Sequence, residues 1–479
     1  MVSDNYFGQV PTPDGSRAAQ AYFDVHDLAR VPRLSERKKI MEFQATYKAK
    51  LTDAHTAVAP VASHSIVAIS QAISQPPALM HALAARADAG EIDDVRVYYY
   101  HSEQHMRESL LRYELMGRIK PHCMFMQSTE RELIQRGLQD GNRKVIYYVP
   151  NSFSQSVRFF TEHIPVDTFL VTVSPMDKYG YFTFGTNNDY TSSVARCAKR
   201  LAVEVNRHMP RVGGRSLLHV SEVDAIVEND QPLLAHRPRP VQPAERIISR
   251  FIGGLVPEHA CLQIGVGGLP NAVCEVLMDR QDLGIHTEVL TPGLACLIQN
   301  GAVTNRSKKM NPGKSVFTFT LGDLALYDFM NENLSLESHP VDYVNDPAII
   351  AQNDNVVSVN STIEMDLTGA CNSEHVNGHQ FTSTGGQLDF VRGAYASRGG
   401  KSIIAFQSAV KDGTVSKIVP HLSGPVTTPR TDVHYVVTEN GVANLKGMSS
   451  TERAYALIRL AHPAFRDSLT VAAKECHLI

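Results

Sequence analysis

The sequence predicts an α/β protein with mainly parallel sheets, and three observations support this. Short apolar runs alternate with helix-like stretches, the rhythm of strands joined by crossover helices. The 479 residues exceed the roughly 100–200 typical of one domain, which argues for two domains or more. Residues 231–245 hold Pro232, Pro238, Pro240 and Pro243 with little apolar periodicity, and read as an extended linker. This linker separates residues 35–230 from residues 246–479, two halves of similar rhythm. No clear sequence repeat relates them, so duplication stays open.

Taken in order, the first thirty residues read as a poorly structured lead, and residues 35–51 as a helix. The run Ile66-Val67-Ala68-Ile69 is a short strand. Pro77 opens a helix, because its missing N–H costs nothing in a first turn. Residues 95–100, 144–149 and 168–173 are strands, the second stopped by Pro150. Beyond the linker, residues 244–252 look helical and end at Gly253-Gly254. Residues 260–264 form a strand running into glycines, and residues 271–278 a helix. Residues 356–359, 402–406 and 434–437 are later strands.

Composition narrows the class. The chain is 43% hydrophobic and 20% charged, with 31 Gly, 25 Pro and no Trp, which excludes fibrous and wholly disordered proteins. A net charge of -3 disfavours a generally basic nucleic-acid binder. No apolar run approaches the ~18 residues of a membrane helix. Residues 1–17 lack the apolar core of a secretory signal. Seven scattered cysteines, Cys123, Cys197, Cys261, Cys274, Cys296, Cys371 and Cys476, lack any CxxC pair. They read as small buried side chains in a reducing cytoplasm.

The strongest local signal is the run from Leu262 through Gly265-Val266-Gly267-Gly268-Leu269 to Val273: a strand, a glycine-rich turn and a helix start. Such a turn can present backbone N–H groups to an anion, or can simply be tight. Pro270 breaks a GxGxxG fingerprint and no Walker lysine follows, which weakens nicotinamide and nucleoside-triphosphate readings. Glu288 lies 23 residues after Gly265, where a ribose-binding acid, a carboxylate nucleophile or a structural carboxylate are all open. Gly385 and Gly386 leave bare backbone N–H groups, either a ligand cradle or a plain turn. Asn360 follows a strand and can bind ligand or cap its turn. The pairs His101/His105 and His375/His379 lack a metalloprotease pattern, and no metal is expected. No G-x-S-x-G supports a serine hydrolase. Arg306, Lys308, Lys309 and Lys314 are either a solvated face or a phosphate contact.

Together, IGVGGLPNAV, GIHTEV, NSTIEMDLTG, TGGQLDFVRGA and GGKSIIAF, in that order, resemble the acetyl-CoA hydrolase and 4-hydroxybutyrate CoA-transferase family, a glutamate-dependent class of CoA-transferases. Residues 173–182 and 204–210 resemble its amino-terminal signatures, and the resemblance spans roughly residues 47–472. It implies two similar open α/β domains, with the site between them and the carboxy-terminal domain carrying the catalytic glutamate. It implies Glu288 as nucleophile, with Gly265, Val266, Gly267, Gly268 and Leu269 contacting CoA. By the same resemblance Gly386, beside Gly385, is expected to border the substrate and oxyanion site, Asn360 to be a ligand-side amide and Lys411 to face CoA. The sequence departs from the pattern at Ser383, where a glycine is usual, at Pro292, where relatives tend to have Asp, and at Ser63-His64, where Gly-Asp is common. These departures bear on acyl specificity more than on reaction class.

The expectation is a cytoplasmic CoA-transferase, a homodimer, that moves CoA between small carboxylic acids. Acyl-CoA and carboxylates are its substrates, with no tightly bound cofactor, nucleic acid or membrane partner. The alternatives are an acyl-CoA hydrolase using the same glutamate, a non-catalytic CoA-binding protein, and a nicotinamide dehydrogenase.

Overall fold

The structure is a computed structural model that describes residues 33–237 and 239–479. The lead over the first thirty residues and Pro238 lie outside the described residues. Two sheets organise the chain. The first contains β1 (Ile66–Ile69), β2 (Val95–Tyr99), β3 (Ile119–Cys123), β4 (Tyr147–Tyr148), β5 (Thr168–Val173), β6 (Arg200–Val205) and β7 (Ala225–Glu228). Their order is β7-β6-β5-β1-β2-β3-β4, and every pairing is parallel. Parallel strands need crossovers that cover both faces, so β1 and β5 are buried along their whole length.

The second sheet contains β8 (Cys261–Ile264), β9 (Gly284–Ile285), β10 (Val356–Asn360), β11 (Lys401–Ala405), β12 (Tyr435–Thr438) and β13 (Gly441–Asn444). Its order is β9-β8-β10-β11-β12-β13, parallel except for the terminal β12–β13 hairpin. The strand order reverses between β8 and β10. Such a reversal opens a crevice at the carboxyl ends of the strands, the usual ligand position in an open α/β sheet. Ile264 is in register with Val359, so Gly265 and Asn360 emerge side by side there.

Several elements differ from the sequence expectation for physical reasons. The strand expected over residues 144–149 pairs only at Tyr147–Tyr148. Lys120, Pro121 and His122 disguise β3, and Glu204 disguises β6. Glu204 is buried because its carboxylate accepts from the N–H groups of Ala78 (2.9 Å) and Leu79 (3.1 Å), satisfying the start of helix Pro77–Asp88.

The helix after the linker begins at Pro243, capped by Gln242 and Glu245, and runs through both glycines to Leu255. Gly253 does not stop it. A Cβ there would collide with Val276, so this glycine lets helix Gly268–Val276 pack closely. That second helix starts three residues earlier than expected, with Pro270 tolerated in its first turn. The linker is tied down rather than free. Leu233 joins the core of the second half, and His236 donates its N–H to the Gly322 carbonyl (2.7 Å). Gly213–Gly214 also pairs with Leu336–Ser338, so the two halves interlock. Cys197 and Cys296 are exposed, which corrects the expectation of uniformly buried cysteines, and all seven are free thiols.

Candidate active site

Glu288 sits between β9 and the short strand Val289–Leu290, which pairs with Phe319–Thr320. Its carbonyl accepts the N–H groups of Thr318 (3.1 Å) and Phe319 (3.2 Å), so two hydrogen bonds fix its backbone. The neighbouring His286 is fully buried, and burial pushes its pKa down to about 3. As a neutral ring it donates from Nε2 to the Val344 carbonyl (2.8 Å) and anchors the segment that presents Asn345.

Asn345 Nδ2 donates to Glu288 Oε2 at 2.6 Å and lies 3.5 Å from Asp389 Oδ2. Asp389 in turn accepts from Ser154 Oγ (2.9 Å) and Ser154 N–H (3.3 Å). Ser154 belongs to the first half, so a chain of polar contacts crosses from one sheet-bearing half to the nucleophile candidate in the other. Burial pushes the Glu288 carboxyl up to about 7. The Asn345 hydrogen bond opposes this shift and the Asp389 charge adds to it. Burial likewise raises Asp389 to about 6, against its hydrogen bonds from Ser154.

Gly386 closes against this group. A Cβ at Gly386 would overlap Glu288 Oε2 and Asn345 Nδ2, so only glycine lets the carboxyl occupy its position. Gly385 has a positive φ of 59°, and its carbonyl accepts the Phe153 N–H (3.1 Å), binding this turn to the first half.

Two cavities meet at Glu288. One, of about 510 Å³, is lined by Gly265, Val266, Gly267, Gly268, Leu269, Asn360, Ser383, Thr384 and Gly386. The other, of about 660 Å³, opens towards His101, Glu103, Arg107, Gln127, His236 and Phe319. Glu288, Gly265, Val266, Asn360 and Phe125 line both. The N–H groups of Val266 and Gly386 meet no acceptor among the described residues. Asn360 Nδ2 donates to Gln263 Oε1 (3.0 Å), which holds its amide at the shared wall.

The structure thus gathers Glu288, the Gly265–Leu269 turn, Asn360 and Gly386 in one place. Gly385 shapes the turn from behind. Lys411 is exposed on the tip between strands Ala409–Val410 and Val415–Ser416, outside both linings, while its neighbour Val410 lines the first cavity. Asn345, Ser154 and Lys417 carry no sequence signal of a site role. Asp389 lies inside the TGGQLDFVRGA motif, where its part in the network is not evident from the residues alone.

The histidine pairs form no metal-ligating group among the described residues, His101 instead lining the second cavity, and the basic cluster is engaged elsewhere. His101 stacks on Phe125 at 4.1 Å and precedes the helix Gln104–Glu108. His375 and His379 lie in an antiparallel hairpin, and no group of three metal-ligating side chains occurs among the described residues. Arg306 pairs with Asp282 and Lys309 with Asp354. Lys308 is buried, donating to the Ile285 (2.7 Å) and Lys314 (2.6 Å) carbonyls, and Lys314 donates to the Leu334 carbonyl. These partners make the cluster structural.

Comparison with known proteins places the chain. A model described as the acetyl-CoA hydrolase/transferase N-terminal domain matches residues 34–236, and its C-terminal counterpart matches residues 322–473. The glycine turn and Glu288 fall between the two matches. The chain is 42% identical over 439 residues to the succinyl-CoA:cyclohexane-1-carboxylate CoA transferase of Geobacter metallireducens, covering 91% of this chain and 98% of that relative. It is 40% identical over 432 residues to the 4-hydroxybutyrate coenzyme A transferase of Clostridium kluyveri, covering 90% and 98%. The crystal structure of RipA from Yersinia pestis aligns with a TM-score of 0.90 at 57% identity, over 91% of this chain and 100% of that one. The chain belongs to the acetyl-CoA hydrolase/transferase family and is an enzyme.

Proposed function

We propose that this member of the acetyl-CoA hydrolase/transferase family moves CoA between small carboxylic acids through a covalent intermediate on Glu288. The observation that carries the reading is the Glu288 carboxyl, held by Asn345 at 2.6 Å where two cavities meet. Two chambers sharing one carboxylate suit a reaction in which CoA and an acyl group part and rejoin at one atom. The first cavity, with its glycine turn, takes the thiol end of CoA. The second takes the acyl group. The two sheet-bearing halves act as two domains with the site between them.

In the first step a Glu288 carboxylate oxygen attacks the thioester carbonyl. The C–S bond breaks and its electron pair leaves on sulfur, giving an acyl-glutamyl anhydride and CoA thiolate. The thiolate then attacks the glutamyl carbonyl of the anhydride. The first acid departs as its carboxylate, and Glu288 becomes a glutamyl-CoA thioester. A second carboxylate reverses both steps. Charge and atoms balance at every stage, and the thioester is conserved. The N–H groups of Val266 and Gly386 line the first cavity with nothing else to bind, and suit the developing oxyanion. A carboxyl raised to about 7 is more basic than an ordinary glutamate and hence the stronger nucleophile once ionised.

The test is intact-protein mass after incubation with acyl-CoA, trapped with borohydride or hydroxylamine, on wild type and Glu288→Gln. A covalent change mapping to Glu288 in wild type alone is the expected result, with Glu288→Gln losing transfer. Near-normal transfer by the pure variant overturns the assignment. Thioester loss that proceeds equally without an added acid makes the enzyme a hydrolase on the same glutamate. A homodimer in the cytoplasm goes with this reading; no helix among the described residues is long and apolar enough to cross a membrane.

A further inference from the structure

Two cations line the first cavity, and they differ in how their charge is met. Arg239 pairs with Glu245, the same carboxylate that caps the helix Pro243–Leu255. Lys417 has no such partner. Its ammonium makes no hydrogen bond or ion pair among the described residues and lies 5.2 Å from the centre of the Phe406 ring, another lining residue. The nearest carboxylate to act on it, Glu439, is engaged by the N–H (2.9 Å) and hydroxyl of Ser408.

The backbone of Lys417 is pinned on both sides. Its N–H donates to the Ser408 carbonyl (2.9 Å) and its carbonyl accepts the Met365 N–H (2.8 Å). The fold therefore holds a half-buried cation at the cavity wall, over the Phe406 ring, with no acceptor for its three donors among the described residues. The Phe406 ring face and the more distant Glu439 charge offset part of the cation's desolvation, but ammonium donors without an acceptor in that setting are costly unless a ligand meets them.

We propose that Lys417 is a substrate-binding residue whose ammonium meets an anionic group of CoA in the first cavity. The inference rests on the reading that this cavity takes CoA. Two parts of CoA carry the required charge: the sulfur, when it is a thiolate between half-reactions, and the phosphates. Burial brings the lysine pKa down to about 8, so the ammonium also gains a proton-linked preference for an anion beside it.

Calorimetric titration of the full chain with CoA, desulfo-CoA and pantetheine, on wild type and Lys417→Met, tests this. The expected result is a fall in CoA affinity of about 10- to 100-fold, recovered in part by Lys417→Arg and absent in Lys474→Met, an exposed lysine outside both cavities. A loss shared by CoA and pantetheine assigns the sulfur. A loss shared by CoA and desulfo-CoA assigns the phosphates. Unchanged affinity for all three ligands overturns the proposal. Wild type that binds none of them overturns the CoA reading itself, which is a separate failure. Should the variants fold poorly, acetylation of wild-type lysines followed by peptide mass mapping decides. CoA must protect Lys417, and equal labelling with and without CoA refutes its role.

Discussion

Two glycine segments face the same cavity, and they need glycine for opposite reasons. At Gly265 a Cβ would meet nothing, since the space beyond is cavity. At Gly386 a Cβ would strike the Glu288 carboxyl and its Asn345 partner. The first glycine keeps room for something that is not protein, whereas the second lets the Glu288 carboxyl approach the backbone. The segments differ in support as well. The Gly265 turn leads into helix Gly268–Val276 within its own half, and Val266 stays 58% exposed. The Gly386 turn is fastened to the other half, through Gly385 to Phe153 and through Asp389 to Ser154. Substrate affinity should therefore be sensitive to the space in front of Gly265, and the placement of Glu288 to the second turn.

The strongest challenge to this contrast is Gly386→Ala. The added methyl forces the Glu288 carboxyl aside, and a misplacement of about an ångström costs on the order of a hundredfold in rate. The drop should fall on kcat, with CoA binding retained. A loss confined to KM would dissolve the distinction between the turns.

Asn345→Ala should come next. It removes the hydrogen bond that favours the Glu288 carboxylate, so the carboxyl titrates above its present value of about 7. The attacking species is the carboxylate, so kcat/KM rises with pH through this ionisation. In the variant that rising limb moves to higher pH, and the rate at neutral pH falls by about tenfold. A pH profile of both enzymes checks the sign, and a limb that moves to lower pH contradicts the assigned network.

Gly265→Ala carries the smallest expected effect. With a negative φ and open space around it, the alanine folds normally, so melting temperature should match wild type. The methyl protrudes into the cavity and should raise KM for acyl-CoA a few-fold with kcat nearly unchanged. Steady-state kinetics at varied acyl-CoA separates this from a rate effect. A large kcat loss here would place catalytic geometry at both turns.

Much of the site is legible in the sequence because its backbone signals are local. Glycines after an apolar strand announce a turn with bare backbone N–H groups, and the residues from Gly265 to Leu269 carry that signal in their order alone. Glu288 is harder. Spacing alone leaves a ribose ligand, a nucleophile and a structural acid open, and the family resemblance singles out the nucleophile. Asn345 carries no signal, because its role depends on a helix end placed by His286 through the Val344 carbonyl. Lys417 looks like an ordinary polar residue, and it stands between the short strands Val415–Ser416 and Ile418–Val419. Lys411, which the resemblance favours, stands on an exposed hairpin tip. The basic cluster around Lys308 has the composition of a phosphate site, yet its cations are taken by carbonyls and carboxylates distant in sequence.

Hydrophobic periodicity and turn chemistry alone established the α/β class and the glycine turn, and they predict the proline-rich division near residues 231–245. These depend on neighbours within a few residues, where chain connectivity fixes the geometry. The raised pKa of the Glu288 carboxyl, the need for glycine at 386 and the placement of Lys417 at the cavity wall arose only on folding. Each depends on groups that lie far apart in the chain, such as Glu288 with Asn345 and Asp389, or Asp389 with Ser154. Desolvation and charge pairing are set by what surrounds an atom in space, and packing two sheet-bearing halves together decides those surroundings.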